Sequence, residues 1–329
     1  MEGIRGFAVF LVFIVHYVTT SIPWIATQNV YQHAVMNGLH RIGNTGVDHF
    51  FVLSGYLIDG TLIARKQSFF PFMARRIKRI YPTFGIVFFA YILLSYAFPL
   101  ENKIPRAEPL VYLLENFLLL PGLFDIEPLI TVAWSLSYEM FYYLTMPLTV
   151  NVFGLRERSI KWRIIFISSA AILTASYCAT RGGPIRLIMF VVEMILYEAI
   201  QSEQVRAPSG VVAFIALVSG LLASLLPLNG NIKIGLLFAS FMIFCLHVFL
   251  RPTDRLATVL SRTQIRWFGN MSYSYYLLHG LVLKAAFLLL GSIEEVQNYA
   301  TQWLWNYNHE RPNMALGGFI PKQRLAMAA

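Results

Sequence analysis

The stretch RGFAVFLVFIVHY, residues 5–17, decides the class of fold. Ten uncharged residues, most of them Phe, Val, Leu or Ile, lie between Arg5 and His16. In a helix, His16 stands roughly 16 Å along the axis from Arg5. An arginine at one membrane interface then places the imidazole past the bilayer midplane. Ionisable side chains inside a span are costly and mark function by default. The plainer alternative is a histidine satisfied by a neighbouring helix.

The rest of the chain agrees with a membrane reading. Of its 329 residues 57% are hydrophobic and only 13% charged, with a mean hydropathy of +0.59. Soluble domains run at about 45–50% apolar and about 25% charged. The net charge of +9 would suggest nucleic acid in a soluble protein. In a multispan protein it is the Lys and Arg excess of cytoplasmic loops. Cys178 and Cys245 sit in apolar runs, with neither a metal-ligand spacing nor a disulfide framework. The N-terminus resembles a secretory signal. However, His16 in its apolar core and the lack of a small-residue cleavage site predict a retained first helix.

Apolar runs predict nine spans, near 4–21, 47–64, 80–99, 130–149, 162–179, 185–201, 209–228, 231–250 and 269–291. The second carries Asp48 and Asp59 and the sixth Glu193 and Glu198, so both are weak by hydropathy. Residues 110–120 are apolar but too short to span, within the long loop 98–128. With the N-terminus cytoplasmic, the inner loops hold fifteen Lys and Arg against six outside. That asymmetry orients the chain and supports counting the two weak spans. The expected fold is all-α, a polytopic membrane helix bundle.

Four further segments carry polar groups at membrane depth. In TVAWSLSYEMFYY, 131–143, Ser135, Glu139 and Tyr143 share a helix face. Glu139 is expected at the depth of His16, where a carboxylate would fix the tautomer of an imidazole acting as general base. The alternative is a carboxylate facing water in the outer vestibule. In GNTGVDHFFVLSGYLIDG, 43–60, Asp48, His49 and Ser54 fall in a glycine-rich, half-apolar run that reads as a cavity wall. FFPFMARRIKRIYP, 69–82, is basic and amphipathic. It is either ordinary positive-inside charge contacting lipid headgroups or a phosphate clamp of guanidinium groups. In FGNMSYSYYLLHG, 268–280, Ser272, Tyr276 and His279 line one face, for helix packing or for a site.

Together, in order, these segments resemble the acyltransferase 3 family of integral membrane acyltransferases. EGIRGFAVFLVFIVHY, DHFFVLSGYLI, FMARRIKRIYP, WSLSYEMFY and FGNMSYSYYLLHG match its signatures over residues 2–291. The resemblance implies a multi-pass enzyme of the bacterial inner membrane. It would move an acyl group, most commonly acetyl, from cytosolic acyl-CoA to a hydroxyl of a glycan or glycolipid, with no metal. It implies His16 as the essential base, with Glu139 as its catalytic partner. Arg5, Arg75, Arg76 and Arg79 would hold the CoA phosphates. Asp48, Ser54, Trp134, Ser135, Tyr276 and His279 would meet substrate.

The pattern breaks in two places. Glu193 stands where the family usually has a small residue. Beyond 291 the apolar character stops and the family's usual last helix is missing, so a membrane domain over 1–291 would be followed by a tail, 292–329. That tail resembles the C-terminal end of insertion-sequence transposases, in the series Trp305, Tyr307, Asn308, Arg311, Pro312, Leu316, Gly317, Gly318 and Pro321. The implied history is an in-frame fusion left by a mobile element, without recombinase activity or a nucleic-acid partner. The tail is expected to form a short helix near 293–307 and then a poorly ordered extended arm, with no fold of its own. Two other readings stay open: a proton-coupled transporter, and a fusion product that inserts but does not function.

Overall fold

The computed structural model describes residues 2–22, 30–64, 67–98, 102–181, 183, 185–202, 204–290, 293–310 and 320–327. Its elements in chain order are α1 (Glu2–Ser21), α2 (Val30–Asp59) running into a π-helical turn at Gly60–Ala64, α3 (Phe69–Ala97) and α4 (Pro109–Phe117). Then come α5 (Trp134–Val152), α6 (Ile160–Arg181), α7 (Ile188–Gln201), α8 (Gly210–Ala223) and α9 (Gly230–Leu250). The chain closes with α10 (Arg255–Leu260), α11 (Thr263–Asn270), α12 (Ser272–Leu290), α13 (Ile293–His309) and α14 (Pro321–Ala326). The described residues form no strand beyond an isolated bridge at Pro121 and Phe124. The fold is an all-α membrane bundle.

Each of the nine predicted spans meets a helix. Among the described residues four of them, α1, α3, α6 and α9, are long and apolar enough to cross a bilayer on their own composition. Two boundaries differ from expectation. The second helix was predicted from residue 47 but begins at Val30. Its first half is polar, so hydropathy cannot register it. A backbone seam with α1 explains its course. A Cβ on Gly43 would lie 2.7 Å from the Val15 nitrogen, and one on Gly46 2.6 Å from the Ala8 carbonyl oxygen. The third helix begins at Phe69 rather than 80, because the basic stretch is itself helical and continues through Pro82.

The sixth span explains one of its carboxylates. Glu198 is fully buried on α7 and accepts a bidentate pair from Arg163 of α6, at 2.5 and 2.7 Å. Arg163 also donates to the carbonyls of Leu155 and Arg158. Removing one member of such a buried pair strands the other charge, at a cost of about 3–5 kcal/mol. The Glu193 side chain lies outside the described residues.

The long loop between α3 and α5 is built around Asn116 of α4. This buried amide donates to the carbonyls of Tyr112 (3.0 Å) and Glu127 (3.4 Å) and accepts from the Leu129 amide at 2.7 Å. The loop then seats Gly122, at φ 92°, against the first residue of α5, so close that a Cβ would lie 2.8 Å from the Trp134 carbonyl oxygen. The predicted short apolar piece is α4, with Tyr112 and Asn116 buried and Leu110, Val111 and Leu114 exposed. The helix expected at the start of the tail is α13. Residues 311–319, expected as an extended arm, lie outside the described residues, and α14 follows them.

Candidate active site

Helices α1, α2, α3, α5 and α12 enclose a narrow cavity of about 60 Å³. Its polar wall is Arg5, Arg79, Ser135, Glu139, Ser272, Tyr273 and Tyr276, and Phe50, Phe51 and Ile80 are among its apolar members. Arg79 is exposed and Arg5 half-buried, so the arginines mark the open end.

Glu139 sits among those arginines. It accepts a hydrogen bond from the Tyr143 hydroxyl one turn further along α5, and its charge acts directly on Arg5. This corrects the depth expected for it: Glu139 belongs to the arginine end, and the described ring neighbours of His16 do not bring it a carboxylate. Helix periodicity gives a residue's face but not the axial offset between two helices, and the error lay in that offset. Arg76 lies over the rings of Tyr143 (4.9 Å) and Phe72 (5.1 Å), a cation–π arrangement. Arg75 is exposed and is not part of the cavity wall.

Further in, the hydroxyls of Ser135 and Tyr276 meet at 2.7 Å, and both also reach the Val132 carbonyl, at 3.0 and 3.1 Å. Tyr273 donates to the Ile80 carbonyl, tying α12 to α3. One turn beyond Tyr276 comes His279, buried and stacked on Tyr275. Its Nδ1 lies 3.0 Å from the Tyr275 carbonyl oxygen. A carbonyl only accepts, so Nδ1 carries the proton and Nε2 of the neutral ring keeps its lone pair. That Nε2 is buried without a hydrogen-bond partner. The His16 ring packs against His279, centroids 4.8 Å apart and planes at 59°.

Two sequence expectations land elsewhere. Asp48 is buried but does not line the cavity: its carboxylate lies 3.2 Å from Arg186 Nε. Oδ1 lacks a well-angled hydrogen bond there, so the contact is an ion pair rather than a directed bond. The Arg186 guanidinium also covers the Trp134 ring at 5.2 Å. Sequence reading had not singled out Arg186. The only signal was one of the two arginines of the predicted outer loop 180–186 facing an unexplained aspartate. The Ser54 side chain lies outside the described residues. Among the described residues no three His, Cys, Asp or Glu converge as metal ligands would.

A string of arginines, hydroxyls and imidazoles through a helix bundle is shared by enzymes and transporters alike, and comparison with known proteins separates them. The acyltransferase 3 model, described as an acyltransferase domain, matches residues 1–307. The chain belongs to the acyltransferase 3 family. It is a multi-pass membrane acyltransferase, transferring groups other than amino-acyl groups. Acyltransferase MdmB of Streptomyces mycarofaciens is 27% identical over 335 aligned positions, covering 92% of this chain and 82% of that protein. The O-acetyltransferase OatA of Staphylococcus aureus is 28% identical over 167 positions, 46% of this chain and 24% of its own longer chain. An uncharacterized Haemophilus influenzae protein is 35% identical over 134 positions, 37% of this chain and 54% of its own. No solved structure matches. The family match passes the boundary placed at 291 and takes in most of α13.

Proposed function

We propose that this acyltransferase moves an acyl group, acetyl in the first instance, from acyl-CoA to a hydroxyl of a glycan or glycolipid at the bacterial inner membrane. The observation that carries the reading is a cavity walled by Arg5, Arg79, Glu139, Ser135 and Tyr276, with the His16–His279 ring pair one turn beyond Tyr276. Arg5 and Arg79 suit the CoA phosphates, which they can grip bidentately, with Arg76 beside them. Ser135, Tyr276 and Trp134 suit the reacting groups. The N-terminus is assigned to the cytoplasm, which puts the arginines on the donor's side.

In this reading His16 takes the proton from the acceptor hydroxyl as its oxygen bonds to the thioester carbonyl carbon. The carbon–sulfur bond then breaks, and the imidazolium returns the proton to the departing thiolate. General-base help of this kind is typically worth about 10²–10⁴ in rate. The name of OatA supports oxygen as the acceptor atom. The family match through residue 307, which takes in Trp305 and Tyr307, supports counting α13 with the enzyme.

The test is purified protein in proteoliposomes with radiolabelled acetyl-CoA outside and lipid-linked glycan inside. Label is expected in the glycan as an alkali-labile ester. Proton-coupled uptake without acyl transfer would replace the enzymatic account with the transporter.

A further inference from the structure

Helix α13 carries an apolar face that is largely exposed. Ala300, Trp303, Leu304 and Tyr307 fall within one arc of roughly 100° around its axis. Asn298, Thr301, Gln302, Asn306 and Asn308 all lie outside that arc. Trp303 and Leu304 are 53% and 54% exposed, although α14 packs on the same helix. The Trp303 ring stacks on that of Tyr307 at 5.4 Å. Trp305 is as exposed as Trp303. It stands roughly 200° further round the helix and stacks on His309 among the polar residues.

Helix α12 fixes where this face sits. Its 19 residues span roughly 28 Å at 1.5 Å each, close to the hydrocarbon thickness of about 30 Å. Leu278 and Val282 are exposed on it, as lipid-facing residues are. Only residues 291 and 292 separate Leu290 from Ile293, and three steps of backbone reach at most about 11 Å. The start of α13 therefore lies within that distance of the point where α12 leaves the hydrocarbon. With Glu294, Glu295 and its run of Asn and Gln, α13 is too polar to cross the bilayer itself. It is rich in Trp and Tyr, which settle at the membrane–water boundary. It has no Lys or Arg to seek anionic headgroups.

We propose that α13 lies flat in the membrane–water interface, with Trp303 and Leu304 in lipid and Trp305 in water. The apolar face continues the lipid-facing surface of α12 around a corner, and apolar area rather than charge holds it there. On the orientation assigned from the loop charges, this is the outer surface of the membrane. The proposal does not depend on the chemistry of the cavity.

Spin labels on single added cysteines test it, in the full chain in phosphatidylcholine nanodiscs. The native Cys178 and Cys245 are buried, and the unaltered protein gives the background. A300C and L304C report the apolar face and leave Trp303 in place, while Q302C and W305C report the polar one. Labels at A300C and L304C are expected to collide more with oxygen, which concentrates in lipid, than with a water-soluble nickel chelate. Labels at Q302C and W305C should show the reverse. Free access of the chelate to all four sites puts the helix in water and overturns the proposal. So does shielding of A300C and L304C from both reagents, which puts a protein surface on that face. Oxygen preference at all four sites overturns it too, because the helix is then immersed rather than lying at the boundary.

Discussion

The cavity behind α1 and the ring cluster one turn along α12 from it are made of different chemistry. In the cavity charges meet charges: Arg5 and Arg79 flank Glu139, which is tied to Tyr143, and Arg76 lies over the Tyr143 ring. In the ring cluster His16 lies against His279 and His279 on Tyr275. A fixed charge at membrane depth is expensive unless paired or wetted, so permanent ions gather where water reaches them. The His16–His279 pair lies off the cavity wall that holds them. On the proposed function, the cavity would hold the charged donor and the imidazole pair would work on the hydroxyl.

The sharpest way to break this contrast is H16A. Transfer should fall about 10²–10⁴-fold in protein whose thermal unfolding is unchanged, measured as label incorporated into the acceptor. A loss under about tenfold would remove the imidazole pair from the chemistry. Next comes R5Q in the cavity. It should raise KM for the donor about 10- to 100-fold, the range of one charged hydrogen bond, with kcat nearly intact. A fall in kcat alone would mean that the two regions are not specialised. H279N keeps a donor for the Tyr275 carbonyl and removes the Nε2 lone pair. Its kcat should drop about tenfold, as for one lost hydrogen bond of about 1.4 kcal/mol, with KM for the donor steady. The smallest effect is expected from R75Q. Arg75 is exposed and off the cavity wall, so donor KM should move less than about twofold, as for a screened surface charge.

Much of the architecture was legible because apolar runs and spaced polar motifs are local properties. Each of the nine apolar runs read from the sequence meets a helix, and Ser135, Glu139 and Tyr276 could be singled out from helical spacing and signature. What escaped depends on contacts across the chain. Glu198 made the sixth span weak by hydropathy, and its partner Arg163 lies 35 residues earlier. Asp48 looked like a wall residue because its partner Arg186 comes from a turn with no motif. The start of α2 was missed because a polar half-helix held by glycine contacts has no hydropathy signature. Glu139 was assigned to the wrong depth because sequence does not specify how far one helix is shifted along its neighbour.

The helix that carries both Arg5 and His16 is pinned along two sides, by Gly43 and Gly46 of α2 and by Gly269 of α11, with its own Gly3 and Gly6 meeting Leu260 and Ile265. A rod gripped at so many backbone crossings cannot tilt or slide alone. The room beside it, about 60 Å³, is far too small for a pantetheine arm. On the proposed function, a CoA-borne donor would enter by displacing the opposite wall, α3 and α5, against α1. The enzyme would then behave as a hinged jaw with one fixed plate, and the spacing between donor-holding arginine and proton-handling histidine would stay constant through every turnover.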